Sequence, residues 1–129
     1  MAVSPLIMLV DDDETDLFVN EMIIKYSGVT DRFVLHKNGE LALNYIKEHV
    51  GKPQGLPDVI FLDLNMPIMN GTAFLSHYEA LPEHVTDNCK LVVLTSSNDH
   101  RDEASIKQNK HVVKYIHKPL SEEDLTIIK

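Results

Sequence analysis

Four apolar runs in this chain each end on polar residues able to do chemistry. Leu6 to Val10 leads into Asp11, Asp12 and Asp13, Val59 to Leu62 into Asp63, and Leu91 to Leu94 into Thr95 and Ser96. Val112 to Ile116 is followed, after one histidine, by Lys118 and Pro119. A carboxylate at the end of a buried strand, as in VIFLDLNMP, is costly unless something pairs with it, because desolvation disfavours its charged form. Carboxylates crowded at one sheet edge repel one another unless a cation joins them. Carboxylate and carbonyl oxygens with room for water suit Mg²⁺. The expected partner of Asp63 is therefore a divalent ion, with Lys118 as a second cation. An aspartate so placed can attack phosphorus and form an aspartyl-phosphate, a transfer that needs positive charge around the phosphoryl oxygens more than an acid or base. Mg²⁺ and Lys118 could supply that charge, and the Thr95 hydroxyl could donate a hydrogen bond to the new group. Asn65 can lend its backbone carbonyl to the metal while Pro67 fixes the following turn. Singly, each residue has a plainer reading. An acidic triplet is often a solvated loop or a helix cap, and Asp13 or Glu14 could do only that capping; a threonine at a strand end is often a turn residue, and a lysine before proline a surface charge.

The chemistry requires the runs to end on one edge, which the rest of the pattern predicts. With Phe33 to Leu35 added there are five runs, mostly branched and apolar with little polar alternation, as expected of strands covered on both faces. Between them lie segments of helical spacing. Asp16 to Tyr26 carries Leu17, Ile23 and Ile24, and Glu40 to Val50 places Leu41, Tyr45 and Ile46 on one side. Thr72 to Leu81 and Arg101 to Gln108 are further candidates, and Ser121 before Glu122, Glu123 and Asp124 is a good N-cap. The segments 51–57 and 81–88 read as loops. Alternation of this kind predicts an α/β fold, one doubly wound parallel sheet with helices on both faces joined by right-handed crossovers. Ligands then bind beyond the carboxyl ends of the strands.

The residues LVDDD, VIFLDLNMPIMNG, VVLTSS and YIHKPL, in this order and in register from about Leu6 onward, closely resemble the receiver domains of two-component response regulators. The resemblance implies a flavodoxin-like (βα)5 sheet in the strand order 2-1-3-4-5. It makes Asp63 the phosphoacceptor, Asp12 a direct metal ligand, Asp11 an outer acidic residue acting through water, and Asn65 a ligand through its main-chain oxygen. Mg²⁺ is the implied cofactor, with Mn²⁺ as an alternative. Thr95 becomes the switch hydroxyl, Lys118 the phosphate-contacting lysine, and Tyr115 the aromatic that turns inward when the threonine moves. The sequence departs from the family at Asn70, where an aspartate is common, and at Asn109-Lys110-His111, where a Gly-Ala turn is usual. Asparagine tolerates left-handed geometry, so a helix C-cap stays open to Asn109.

Composition narrows the functional classes. At 129 residues the chain is expected to form one domain, a receiver without an output domain. A formal charge of -8 argues against direct nucleic-acid binding, which depends on lysine and arginine neutralising phosphates. The single cysteine, Cys89, fits a reducing compartment, and the short N-terminal apolar run lacks the basic leader of a signal peptide and the length of a membrane span. A cytoplasmic protein is expected. Seven scattered histidines show no pair at metal-ligand spacing on a convincing helix face, so a phosphoryl-donating histidine would belong to a partner.

The expected function is two-component signalling: Asp63 accepts a phosphoryl group from a histidine kinase or histidine phosphotransfer protein, and the change reaches a downstream protein target. A phosphorelay intermediate or phosphate sink fits the sequence equally well. Catalysis is expected only of the domain's own phosphorylation and dephosphorylation. Of two rivals, a haloacid-dehalogenase-type phosphohydrolase needs an acid/base aspartate two residues after the nucleophile, where this chain has Asn65. An unphosphorylated receiver-like binding module would usually have lost an acidic, threonine or lysine position, and none is lost.

Overall fold

The computed structural model of the protein describes residues 4–64, 66, 69–95 and 103–128. Five strands, β1 (Leu6–Val10), β2 (Arg32–His36), β3 (Val59–Asp63), β4 (Lys90–Thr95) and β5 (Val112–His117), form a parallel sheet in the order β2-β1-β3-β4-β5. This is the flavodoxin-like order expected from the resemblance. The alternation of side chains along each strand divides the core in two. Met8, Val10, Ile60, Leu62, Leu91 and Val93 face the layer holding helices α2 (Gly39–Glu48) and α3 (Gly71–Glu79). Ile7, Leu9, Val59, Phe61, Val92 and Leu94 face α1 (Glu14–Tyr26) and a closing 3-10 helix over Glu122–Ile127. With both faces covered, β1 and β3 have every residue buried. The edge strand β2 is only partly covered, so its sequence carries Arg32 and His36 beside the apolar residues.

Several local expectations require correction. Leu41 is 50% exposed, whereas Ile46 is buried as expected and Ala42 and Leu43 turn inward with it. The segment 81–88 holds a four-residue helix, α4 (Glu83–Thr86), which begins after Pro82 and buries Val85. The segment 51–57 includes a short 3-10 turn at Pro53–Gly55. The helix expected over 101–108 is α5 (Glu103–Lys107), and residues 101 and 102 lie outside the described residues. No described residue other than glycine has a positive φ, so Asn109 supplies no left-handed cap. Its side chain instead accepts a hydrogen bond from the His111 amide at 2.9 Å and donates one to Glu79 at 2.9 Å. Asparagine's capacity for local side-chain hydrogen bonds replaces the glycine solution there.

Gly71 is where the fold is tightest next to the acidic edge. A Cβ at this position would lie 2.6 Å from Leu64 Cδ1 and 3.0 Å from Leu64 Cα, directly after Asp63. The Gly71 amide also donates to the Leu64 carbonyl at 2.8 Å, which draws the two backbones together. Gly71→Ala is expected to lower stability by about 1–3 kcal/mol through overpacking, read as a lower urea midpoint. An unchanged midpoint would show that this approach is not a constraint.

Candidate functional site

The acidic triplet divides into three roles. Asp11 follows β1, where its amide donates to the His36 carbonyl at 3.1 Å and its carboxylate accepts from the Asp13 amide at 2.9 Å. Asp13 is the N-cap of α1, accepting from the amides of Thr15 at 2.8 Å and Asp16 at 3.2 Å. That leaves Asp12, exposed, to meet Asp11 and Asp63. One carboxylate oxygen from each of Asp11, Asp12 and Asp63 lies within 4.8 Å of the others. Asp11 and Asp63 are 3% and 5% exposed, so their repulsion is not relieved by water.

Lys118, at the end of β5, reaches this cluster. Its ammonium donates to Asp11 Oδ2 at 2.8 Å and to Asp16 Oδ2 at 2.8 Å, and lies 3.7 Å from Asp63 Oδ1. The Lys118 amide donates to the Thr95 carbonyl at 2.8 Å, which ties the ends of β4 and β5 together. Burial alone would lower the pKa of this lysine, but hydrogen bonds to Asp11 and Asp16 and the charges of Asp63 and Asp11 outweigh it and raise the pKa. Lys118 therefore stays a cation. One ammonium facing the carboxylates of Asp11, Asp12, Asp16 and Asp63 still leaves the edge acidic.

The donor set fits a hard divalent cation. Two buried carboxylates and one exposed one provide oxygen ligands on one side and an open side for water, the arrangement Mg²⁺ takes most readily. Thr95 ends β4 fully buried, one register position beyond the residue paired with Asp63. Tyr115 is half-buried in β5, with Lys107 Nζ 5.4 Å from its ring centroid and the His117 ring edge-on at 5.6 Å. Of the residues expected from sequence, Asp11, Asp12, Asp63 and Lys118 come together, with Thr95 on the neighbouring strand end. Asn65, Pro67 and Ser96 lie outside the described residues.

Asp16 was not anticipated. No strand-end pattern marks it: it lies on the first turn of α1, and its carboxylate accepts from the Lys118 ammonium rather than reaching back to the cap.

His36 supports the site from β2, and its Nε2 is buried without a hydrogen-bond partner among the described residues. Burial lowers its pKa from the ordinary value. A histidine depressed in the folded state contributes no penalty above its unfolded pKa of about 6.5, and stability is lost as pH falls from there toward the folded value. Urea unfolding of the wild type is expected to weaken more between about pH 7 and 5 than that of His36→Leu, which cannot titrate. Parallel profiles would contradict this.

The response regulator receiver domain matches residues 7–128 of the chain. The probable methanogenesis regulatory protein FilR2 of Methanothrix harundinacea is 32% identical over 120 residues, which cover 93% of this chain and 76% of that protein. A two-component response regulator from Cytophaga hutchinsonii superposes with a TM-score of 0.87 at 27% identity, covering 95% of this chain and 91% of the other. A response regulator receiver protein from Dyadobacter fermentans gives 0.81 at 31% identity, covering 95% of each chain. The chain belongs to the response regulator receiver domain family, whose members act in two-component signalling. Among the described residues no helix is long and apolar enough to cross a membrane.

Proposed function

We propose that this chain is a phosphorylation switch in which Asp63 accepts a phosphoryl group from a phosphohistidine on a partner kinase or phosphotransfer protein. The observation that carries the reading is the meeting of Asp11, Asp12 and Asp63 within 4.8 Å, with the Lys118 ammonium against the cluster. A carboxylate oxygen of Asp63 attacks phosphorus, the phosphorus–nitrogen bond of the donor breaks, and the imidazole leaves with that electron pair. Lys118 lies close enough to meet the phosphoryl oxygens. Mg²⁺, held by Asp12 and Asp63 with Asp11 acting through water, would supply the remaining positive charge.

Two similar proteins support this reading. The cyanobacterial phytochrome response regulator RcpA, 27% identical with a TM-score of 0.76, has been seen phosphorylated, and Rcp1 has been seen in a Mn²⁺-bound form. Phosphorylation adds charge at the sheet edge, which would draw in the Thr95 hydroxyl and let Tyr115 follow. The surface of α5, β5 and the closing 3-10 helix would then change for a downstream protein target. The phosphoryl group can favour that state only by interacting with it more strongly than with the resting one. On this reading the domain works in the cytoplasm and catalyses only its own phosphorylation and dephosphorylation.

The test is intact-mass spectrometry after incubation with acetyl phosphate, with and without Mg²⁺. One added phosphoryl group that requires Mg²⁺ is expected. No adduct in Mg²⁺, together with no binding of beryllofluoride, would overturn the reading.

A further inference from the structure

Lys118 is held by a carboxylate that does not belong to the acidic triplet. Its ammonium lies 2.8 Å from both Asp11 Oδ2 and Asp16 Oδ2, but 3.7 Å from Asp63 Oδ1, beyond hydrogen-bond range. Asp16 is absent from the group that could hold a metal ion, and its side chain is 39% exposed against 4% for Asp11. It grips the lysine from the solvent side. Its position is fixed locally, since its amide is bonded by the Asp13 cap and the chain enters α1 there.

We propose that Asp16 is a positioning residue that competes with the phosphoryl group for Lys118, and so sets how readily this protein passes to its phosphorylated state. The inference rests on the reading of Asp63 as phosphoacceptor. Two of the three N–H donors of the ammonium are committed to Asp11 and Asp16 before a phosphoryl group arrives. Approach to that group draws the ammonium away from Asp16, and the charge of Asp16 repels the incoming one. Both effects favour the unmodified protein, and an interaction stronger in one state shifts the equilibrium toward it by the difference. Removing the Asp16 charge should therefore ease phosphorylation, although it removes an ion pair from the resting structure.

Beryllofluoride, a mimic of the phosphoryl group, provides the test. Its dissociation constant in saturating Mg²⁺ would be measured by calorimetry for the wild type, Asp16→Asn and Asp16→Ala, with thermal unfolding of each protein in its absence. The constant is expected to fall roughly three- to tenfold in both variants, as for loss of one partly exposed charged pair, while the unfolding midpoint stays level or drops. A purely structural role for Asp16 would lower the midpoint without tightening binding. Wild-type binding with variants equal or weaker would overturn this inference alone, and a wild type that binds no beryllofluoride would overturn the phosphoacceptor reading with it.

Discussion

Asp63→Asn is expected to take up no phosphoryl group from acetyl phosphate under conditions that modify the wild type. The amide keeps the shape of the side chain but lacks the carboxylate oxygen that attacks phosphorus, so the loss is complete rather than partial. Asp11 is engaged by Lys118 and the Asp13 amide, and Asp13 caps α1, so neither is placed to take over. The fold should survive. Asp63 is 5% exposed beside the 3% exposed Asp11, and removing one of two crowded carboxylates relieves repulsion. The unfolding midpoint of Asp63→Asn should equal or exceed that of the wild type. Intact-mass spectrometry and thermal unfolding on one preparation would check both, and a modified variant or a collapsed midpoint would contradict the account.

Lys118→Ala should have the second-largest effect, on stability and phosphorylation together. The lysine side chain is 13% exposed and that of Asp11 4%, so truncation leaves a buried carboxylate without its cation. Breaking a buried pair costs about 3 kcal/mol or more, far beyond the loss of a surface ion pair. Loss of one positive group from the phosphoryl oxygens should also slow phosphorylation about a hundredfold. Mg²⁺ offers a check on the cause. In the variant it supplies the missing positive charge, so it should raise the unfolding midpoint more than it does in the wild type. Equal gains in the two proteins would show that the carboxylates are not what the lysine stabilises.

The sheet was legible because its central strands are covered on both faces and must be apolar until they reach the acidic edge, as LIMLV is throughout and VIFLD is up to Asp63. The acidic edge followed from the residues that end those strands, since a parallel sheet brings all such ends together. What escaped the sequence depends on neighbours rather than on pattern. Leu41 fits a helical stripe with Tyr45, four residues on, yet only packing against the sheet decides that Ala42 and Leu43 are the buried pair. The helical turn Glu83–Thr86 is too short for periodicity to show. Ser121 was a good starting signal, and its amide donates to Asp124 at 2.9 Å, but a cap does not determine whether an α- or a 3-10 helix follows, and this one is 3-10. Asp16 escapes a reading of strand ends because it comes from the first turn of a helix. Its role emerges only when Lys118, 102 residues away, is seen to reach it.

The most direct test of the central claim is to locate the phosphoryl group itself. The protein would be treated with acetyl phosphate and Mg²⁺, reduced with borohydride to convert any aspartyl-phosphate into homoserine, digested and sequenced by tandem mass spectrometry. Homoserine at position 63, absent when Mg²⁺ or the phosphodonor is omitted, is the result predicted here. Homoserine at Asp11 or Asp12 instead, or at no aspartate, would contradict the assignment of Asp63 as the phosphoacceptor.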